Sequence, residues 1–288
     1  MLQQLVNALL LGGIYALVGV GFSLIYGVMN IINLAHGALI MLAAYTTFWV
    51  FQLYGVDPFA SIVISMALFF VIGFILQKYI VNRVVGQNVL MTMVLTYGFE
   101  LIAVNFALYF WHADYRAVNP TYAGTGLEIG DVVVPYIKLG ILTVAIVLTS
   151  LLYLFMTRTK IGNAIQATSL NKDAAQLVGI DIQYIYSFTY GLSAALAAAA
   201  GTLIAIVYTV TPSMEGGFLG KAFVIAILGG LGNSLGAIVG GVVLALAETF
   251  GVVVFGAAYQ QIVGYVIFLL VLIVRPCGLV GRRFFSEL

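Results

Sequence analysis

Apolar residues in this chain form long runs instead of an alternating pattern or a one-sided stripe. Nine such runs occur near residues 5–28, 33–53, 58–81, 90–110, 137–157, 183–208, 217–230, 234–254 and 259–275. A helix needs about 20 mostly apolar residues to cross a bilayer, and eight of the runs reach roughly that length. The run 217–230 is shorter. We therefore predict eight or nine transmembrane segments, with 217–230 as a short, discontinuous or re-entrant helix.

The composition supports a membrane location for the whole chain. Of 288 residues, 63% are hydrophobic and only 7% are charged, and the mean hydropathy is +1.15. Strands of a membrane barrel would alternate apolar and polar residues, which these runs do not. The predicted fold class is an all-α membrane protein, a polytopic bundle that forms a single transmembrane domain over residues 1–288. A net charge of +1 without a basic cluster argues against nucleic-acid binding, and no cofactor or metal is expected.

Lysine and arginine are distributed unevenly between the polar segments. If segments 82–89 and 158–182 and the C-terminal tail share one side, that side carries Lys78, Arg83, Arg158, Lys160, Lys172, Arg275, Arg282 and Arg283. The opposite side then carries Arg116, Lys138 and Lys221. Cytoplasmic loops are enriched in cations, so we expect a cytoplasmic C-terminus and, with nine passages, an external N-terminus.

Two polar segments are long enough to contact other proteins. Segment 111–136 contains Trp111 and the acids Asp114, Glu128 and Asp131. It is interpreted as a solvated linker or as a docking surface for an external partner. Segment 158–182 is predicted to include a short helix at 173–175 that ends at Gly179, the residue type favoured after a helix. It either contacts another subunit or simply connects two spans.

Small residues at four-residue spacing predict close helix packing, since lipid provides no hydrophobic drive between helices. The rows include Gly191 and Ala195, and then Gly232, Gly236 and Gly240.

The same stretch contains a G-x-S-x-G sequence around Ser234, which in hydrolases marks a nucleophile. An intramembrane serine hydrolase with His36 as base therefore remains an alternative.

The stretch 215–222 has the wrong spacing for a phosphate-binding loop, so any ATPase must be another chain.

Ionisable residues within apolar runs are costly in lipid and are therefore candidates for function. Glu100 lies midway along the run 90–110, near Tyr97 and Asn105, and is either a substrate-path residue or a structural acid. Glu248 is interpreted as structural or close to the outer mouth. Neither acid has an evident basic partner. This absence argues against a proton-coupled carrier, and no filter sequence indicates a channel, although a stand-alone transporter or channel remains an alternative.

The stretch "NIINLAHG" places Asn30, Asn33 and His36 at three-residue spacing just before an apolar run. We interpret these residues as caps of a tight cytoplasmic turn between the first two spans. They would contact substrate if that turn enters the bundle.

This stretch, with "AAQLVGI", the glycine-rich region 191–241 and the closing "RPCGLVGRR", resembles permease subunits of branched-chain amino acid ABC importers. The likeness is co-linear from about residue 4 to residue 279. It implies a type II importer fold in a bacterial inner membrane, a second permease (homologous or identical), two cytoplasmic ATP-binding subunits and an external substrate-binding protein.

The resemblance also implies an ATPase contact at or beside Gly230, Gly232 and Asn233. The segment at Asp173, Ala174 and Gly179 competes with it as the coupling element. Many relatives carry an acid where this chain has Ala38. Urea and short-amide permeases share the same sequence elements, so the resemblance implies branched-chain or other neutral amino acids, with urea or amides as the alternative.

Overall fold

The computed structural model describes residues 2–86, 89–129 and 132–280, and within these ranges helices dominate. Arg282, Arg283 and Asp131, which entered the sequence interpretation, lie outside them. The helices are α1 Leu2–Met29, α2 His36–Tyr54, α3 Pro58–Tyr79, α4 Val89–Trp111, α5 Tyr136–Arg158, α6 Lys160–Leu170, α7 Lys172–Leu177, α8 Ile182–Val207, α9 Met214–Gly229, α10 Ser234–Phe255 and α11 Gln260–Val274. Two antiparallel strands, β1 Gly126–Ile129 and β2 Val132–Pro135, form a hairpin.

The apolar runs correspond closely to these helices. Eight helical stretches in the described ranges are long and apolar enough to span a membrane, which confirms the predicted helical bundle. Helix α9 has 16 residues and is therefore about 24 Å long, short of the hydrocarbon thickness of about 30 Å. It covers most of the run 217–230, for which a short, discontinuous or re-entrant helix was predicted.

The helix ends define two faces of the bundle. On one, which we call the C-terminal face, the end of α1 meets the α9–α10 turn, and the Leu279 N–H donates to the Leu228 carbonyl at 2.7 Å. On the other, the hairpin face, the loop after α4 carries the hairpin, and Arg116 forms a two-way backbone bridge with Val210. The segment 111–136 is thus anchored to the loop between α8 and α9.

Helices α1 and α8 form the centre of the bundle, and their apolar windows are 89% and 83% buried. A Cβ added to Gly191 would lie 2.9 Å from the Phe70 carbonyl oxygen of α3. On the facing helix, a Cβ at Gly73 would lie 2.6 Å from the Ala194 methyl. Ala195 is 4% exposed. The small residues of α8 therefore permit close contact with α3, as the spacing predicts.

The second row of small residues packs α9 against α10. Gly236 contacts the Gly229 backbone, and Gly240 contacts the carbonyl of Ile225, so neither position has room for a side chain. Gly232 differs from the prediction because it lies in the turn before α10, with φ +81°. It contacts Gly27 of α1 and so packs the turn, not the helix row.

Segment 158–182 is more helical than its polarity suggests. Residues 173–175 lie in α7 as predicted, and Gly179 follows that helix at φ +87°. The 11-residue helix α6 was not predicted. Thr159 starts it, accepting from the Gly162 N–H at 2.9 Å, an N-cap.

Candidate translocation site

The chain between α1 and α2 rises from the C-terminal face into the bundle. Residues 30–35 are non-helical, and Asn30 turns the chain with φ +53°. His36, the first residue of α2, places Nε2 3.2 Å from the Val18 carbonyl oxygen. Val18 precedes the end of α1 at Met29 by eleven residues, which is about 16 Å along the helix. Helix α2 therefore begins inside the bundle. The turn was predicted to lie entirely at one surface, whereas only its first residue, Asn30, is exposed, and the turn ends in the interior.

Neighbouring helices supply hydrogen bonds to this interrupted backbone. The Leu34 N–H donates to Thr96 Oγ1 of α4 at 3.2 Å. The Ala35 N–H donates to Asn33 Oδ1 at 3.2 Å, and the Tyr190 hydroxyl of α8 donates to the same oxygen at 3.1 Å. Non-helical backbone at membrane depth is tolerated only inside protein or beside a water-filled cavity. Asn33 does cap this turn, as predicted, but the turn is held inside the bundle.

Several donors at the start of α2 have no partner within the described residues. Asn33 Nδ2 is a buried donor without a hydrogen bond, and Asn33 is 1% exposed. His36 Nδ1 is also buried without a partner, but it is an acceptor because Nε2–H donates to the Val18 carbonyl. The first intrahelical bond runs from the Leu39 N–H to Ala35. The N–H groups of Gly37 and Ala38 consequently find no backbone acceptor in this part of the chain.

A second acid joins Glu100 beside this helix start. The carboxyl group of Glu215, in the first turn of α9, interacts with that of Glu100 on α4. Glu215 Oε2 is buried and lacks a hydrogen-bond partner within the described chain. A Cβ at Gly37 would lie 2.5 Å from the Glu215 carbonyl oxygen. The start of the short helix α9 and the interior start of α2 therefore meet next to two carboxyl groups.

Sequence reasoning did not single out Glu215. Its position just before the short apolar run 217–230 was the available signal. On the same helix turn, Gly216 and Gly217 have nothing within 4 Å of an added Cβ, so this side of the junction faces open space.

Tyr97 and Asn105 are not brought to this junction. Tyr97 is 48% exposed, and Asn105 is exposed and donates to the Leu101 carbonyl of its own helix at 2.7 Å. Of the five sequence-derived substrate-path residues, the structure thus groups Glu100, Asn33 and His36.

The other buried acid, Glu248, has a basic partner that the sequence interpretation missed. Lys221 Nζ lies 2.9 Å from Glu248 Oε2 and also donates to the Tyr15 hydroxyl. Tyr15 and Gln260 donate to the same carboxylate oxygen at 2.5 and 3.1 Å. Lys221 is 9% exposed and lies within α9, so this cation, which the charge count placed on the side opposite the cation-rich one, is held inside the bundle. Glu248 fits the predicted structural role, since the network joins α1, α9 and α10.

A cavity of about 1060 Å³ opens between α1, α5, α6, the α9–α10 turn and the C-terminal residues. The predicted coupling residues Gly230, Gly232 and Asn233 line it. Asn233 also caps α10 by accepting from the Gly236 N–H at 3.1 Å.

The competing coupling segment, with Asp173, Ala174 and Gly179, lies on and after α7 and does not line this cavity. Leu177 and Val178 at the end of α7 are 89% and 78% exposed. Both segments present surfaces that a partner could contact.

His36, the base proposed for the serine of the G-x-S-x-G sequence, does not lie beside it. Ser234 lies at the start of α10 and lines the cavity between α1, α6 and the α9–α10 turn. The ring of His36 contacts Val18 and Phe22 of α1 instead. The arrangement of a nucleophile with a hydrogen-bonded base is not formed by these two residues.

Comparison with known proteins agrees with this architecture. Residues 4–272 match the family model described as branched-chain amino acid transport system / permease component. The chain belongs to this family. It is 33% identical to the high-affinity branched-chain amino acid transport system permease protein BraD of Pseudomonas aeruginosa, across 98% of this chain and 96% of that protein. It is 27% identical, with the same coverage, to LivH of Escherichia coli K12, which bears the same description.

More distant proteins share the permease architecture. A probable LivH of Methanocaldococcus jannaschii is 26% identical over 96% of this chain and 91% of that protein. The solved structure of PsaBC from Streptococcus pneumoniae in complex with Fab resembles this permease with a TM-score of 0.52. That likeness has 13% identity and covers 92% of this chain and 89% of the other, so it concerns the fold alone.

Proposed function

We propose that this permease is the membrane subunit of an ATP-driven importer that moves branched-chain amino acids into the cell. The family and the names of BraD and LivH support the substrate class. The observation that carries a transport function is the polar junction of α2, α4 and α9 inside the bundle, where non-helical backbone and two carboxyl groups meet. Discontinuous helices that meet near the bilayer midplane are characteristic of transporter binding sites.

We further propose its partners and orientation in the inner membrane. A second permease, either a homologue or another copy, completes the pathway. An external binding protein delivers substrate to the hairpin face, and two ATP-binding subunits contact the C-terminal face. Exposed Leu177 and the cavity beside Gly232 are the features that favour the C-terminal face for this contact. ATP drives the cycle only by binding the two arrangements of the complex with different affinity.

Reconstitution of the complete complex in liposomes tests this function. Leucine uptake should require ATP, both partner subunits and the leucine-loaded binding protein. Leucine uptake by the permease alone, or uptake of urea in place of leucine by the complete complex, would contradict the proposal.

A further inference from the structure

The start of α2 has the properties of a site for an anion. A helix N-terminus carries the equivalent of about half a positive charge, and its free N–H groups point outward. Here the N–H groups of Gly37 and Ala38 lack acceptors within the described chain. Asn33 Nδ2, on the amide whose oxygen already caps this turn, is buried and unpartnered. Leaving such donors without an acceptor costs about 1–3 kcal/mol each. An anion that accepts hydrogen bonds from them would remove this cost.

The adjacent carboxyl pair has the properties of a site for a cation. Glu100 is 8% exposed, and its carboxyl group interacts with that of Glu215. Neither glutamate forms a salt bridge within the described residues. The buried Lys221 is paired with Glu248 instead. A cation placed against two neighbouring carboxyl groups is stabilised by their negative charge.

The two half-sites are neighbours in the fold. The Glu215 carbonyl packs directly on Gly37. On α4, Thr96 binds the Leu34 N–H, and Glu100 lies one helical turn further along the same face. A compact molecule with a negative and a positive group on adjacent atoms matches this arrangement, and the open space beside Gly216 gives it access.

We propose that this junction recognises the backbone of an amino acid zwitterion: the N-terminus of α2, with Asn33, binds the α-carboxylate, and Glu100 with Glu215 binds the α-ammonium. This inference rests on the proposed function and deepens it. Because the junction would bind only the α-carboxylate and α-ammonium groups of the substrate, amino acids with different apolar side chains could be accepted. The junction also rejects urea and amides, which carry neither charge.

A binding experiment without the binding protein isolates this recognition from delivery. The purified transporter in nanodiscs is titrated with leucine, with 4-methylpentanoic acid, which lacks the ammonium, and with 3-methylbutylamine, which lacks the carboxylate. We expect leucine to bind and each analogue to bind at least about 30-fold more weakly, because an unpaired charged group is left buried. Glu100→Gln and Glu215→Gln should each weaken leucine binding by a similar factor. Asp114→Asn, at an exposed carboxylate, is the charge-matched control and should bind leucine normally.

Uptake by the reconstituted complex separates the two proposals. If the parent protein imports leucine but both glutamine variants bind and import it normally, the recognition mode is wrong and the importer function stands. Equal binding of leucine and its two analogues would have the same meaning. If the parent complex imports no amino acid, the proposed function fails and this inference fails with it. Unchanged thermal unfolding of the variants without ligand would show that weaker binding does not reflect misfolding.

Discussion

The buried pair Lys221–Glu248 should contribute strongly to stability when only one partner is removed. At the observed 2.9 Å, the attraction between unit charges is about 6 kcal/mol at an effective dielectric constant of about 20. Removing one partner of a buried pair typically destabilises by about 3–5 kcal/mol, because the remaining charge is left uncompensated. Glu248→Leu should lie at the upper end, since Lys221 would keep only the Tyr15 hydroxyl. Lys221→Met should cost less, since Tyr15 and Gln260 still donate to the carboxylate.

The double replacement distinguishes electrostatics from packing. Lys221→Met combined with Glu248→Leu leaves no buried charge, and apolar replacement of buried pairs is often neutral or stabilising. We therefore expect the double variant to be more stable than either single variant. The free energy of unfolding, measured by denaturant titration in mixed detergent micelles, provides the test. Asp114→Asn, which breaks a partly exposed pair at 3.6 Å, is the control and should change stability by at most about 1 kcal/mol.

Two results would refute this reasoning. One is a Glu248→Leu protein as stable as the Asp114→Asn control. The other is a double variant that loses as much free energy of unfolding as the two single variants together. Such additivity is expected of independent sites and not of two residues that form a charge pair.

Three further changes test other features. Gly236→Val should lower the free energy of unfolding by about 1–3 kcal/mol or more, because the side chain would meet the α9 backbone; Gly98→Ala, at an open helical position, is its control, and equal stability of the two would contradict the packing. Thr96→Val should cost about 1 kcal/mol or more by leaving the partly buried Leu34 N–H without its acceptor, and Thr96→Ser, which keeps the hydroxyl, should retain the stability of the parent in the same titration. Leu177→Ser should leave folding intact but reduce substrate-stimulated ATPase activity of the assembled complex, and full stimulation would argue against α7 as a contact.

Much of the fold was predictable because a bilayer restricts what a chain can do. Every backbone polar group in lipid must be satisfied internally, so apolar run length nearly determines helix number and extent. For example, the apolar run 137–157 corresponds to helix α5, Tyr136–Arg158, and the run 234–254 corresponds to helix α10, Ser234–Phe255. Helix α6 was missed because its residues are polar and lie outside any apolar run, where the length rule has no force.

The site was less predictable because it depends on contacts between residues far apart in sequence. The tightness of the 30–35 turn is readable from its asparagines, but its depth is set by Val18, Thr96 and Tyr190 on three other helices. Likewise, the sequence does not show that Lys221 is the basic partner of Glu248, because the two residues meet only when α9 packs against α10. The spacing of residues within a helix indicates which side of that helix they share. It does not indicate which other helix packs against that side.

The interior start of α2 also has a consequence for how the protein is made. Helix α2 has a mean hydropathy of 1.3, the lowest of the eight spanning stretches in the described ranges. Asn33, in the turn before this helix, accepts a hydrogen bond from Tyr190, 157 residues later, and Thr47 of α2 donates to Thr202, 155 residues later. At a synthesis rate of about 5–20 residues per second, those partners emerge roughly 8–30 s after α2. The second span is therefore synthesised before the residues of α8 that hydrogen-bond its polar side chains.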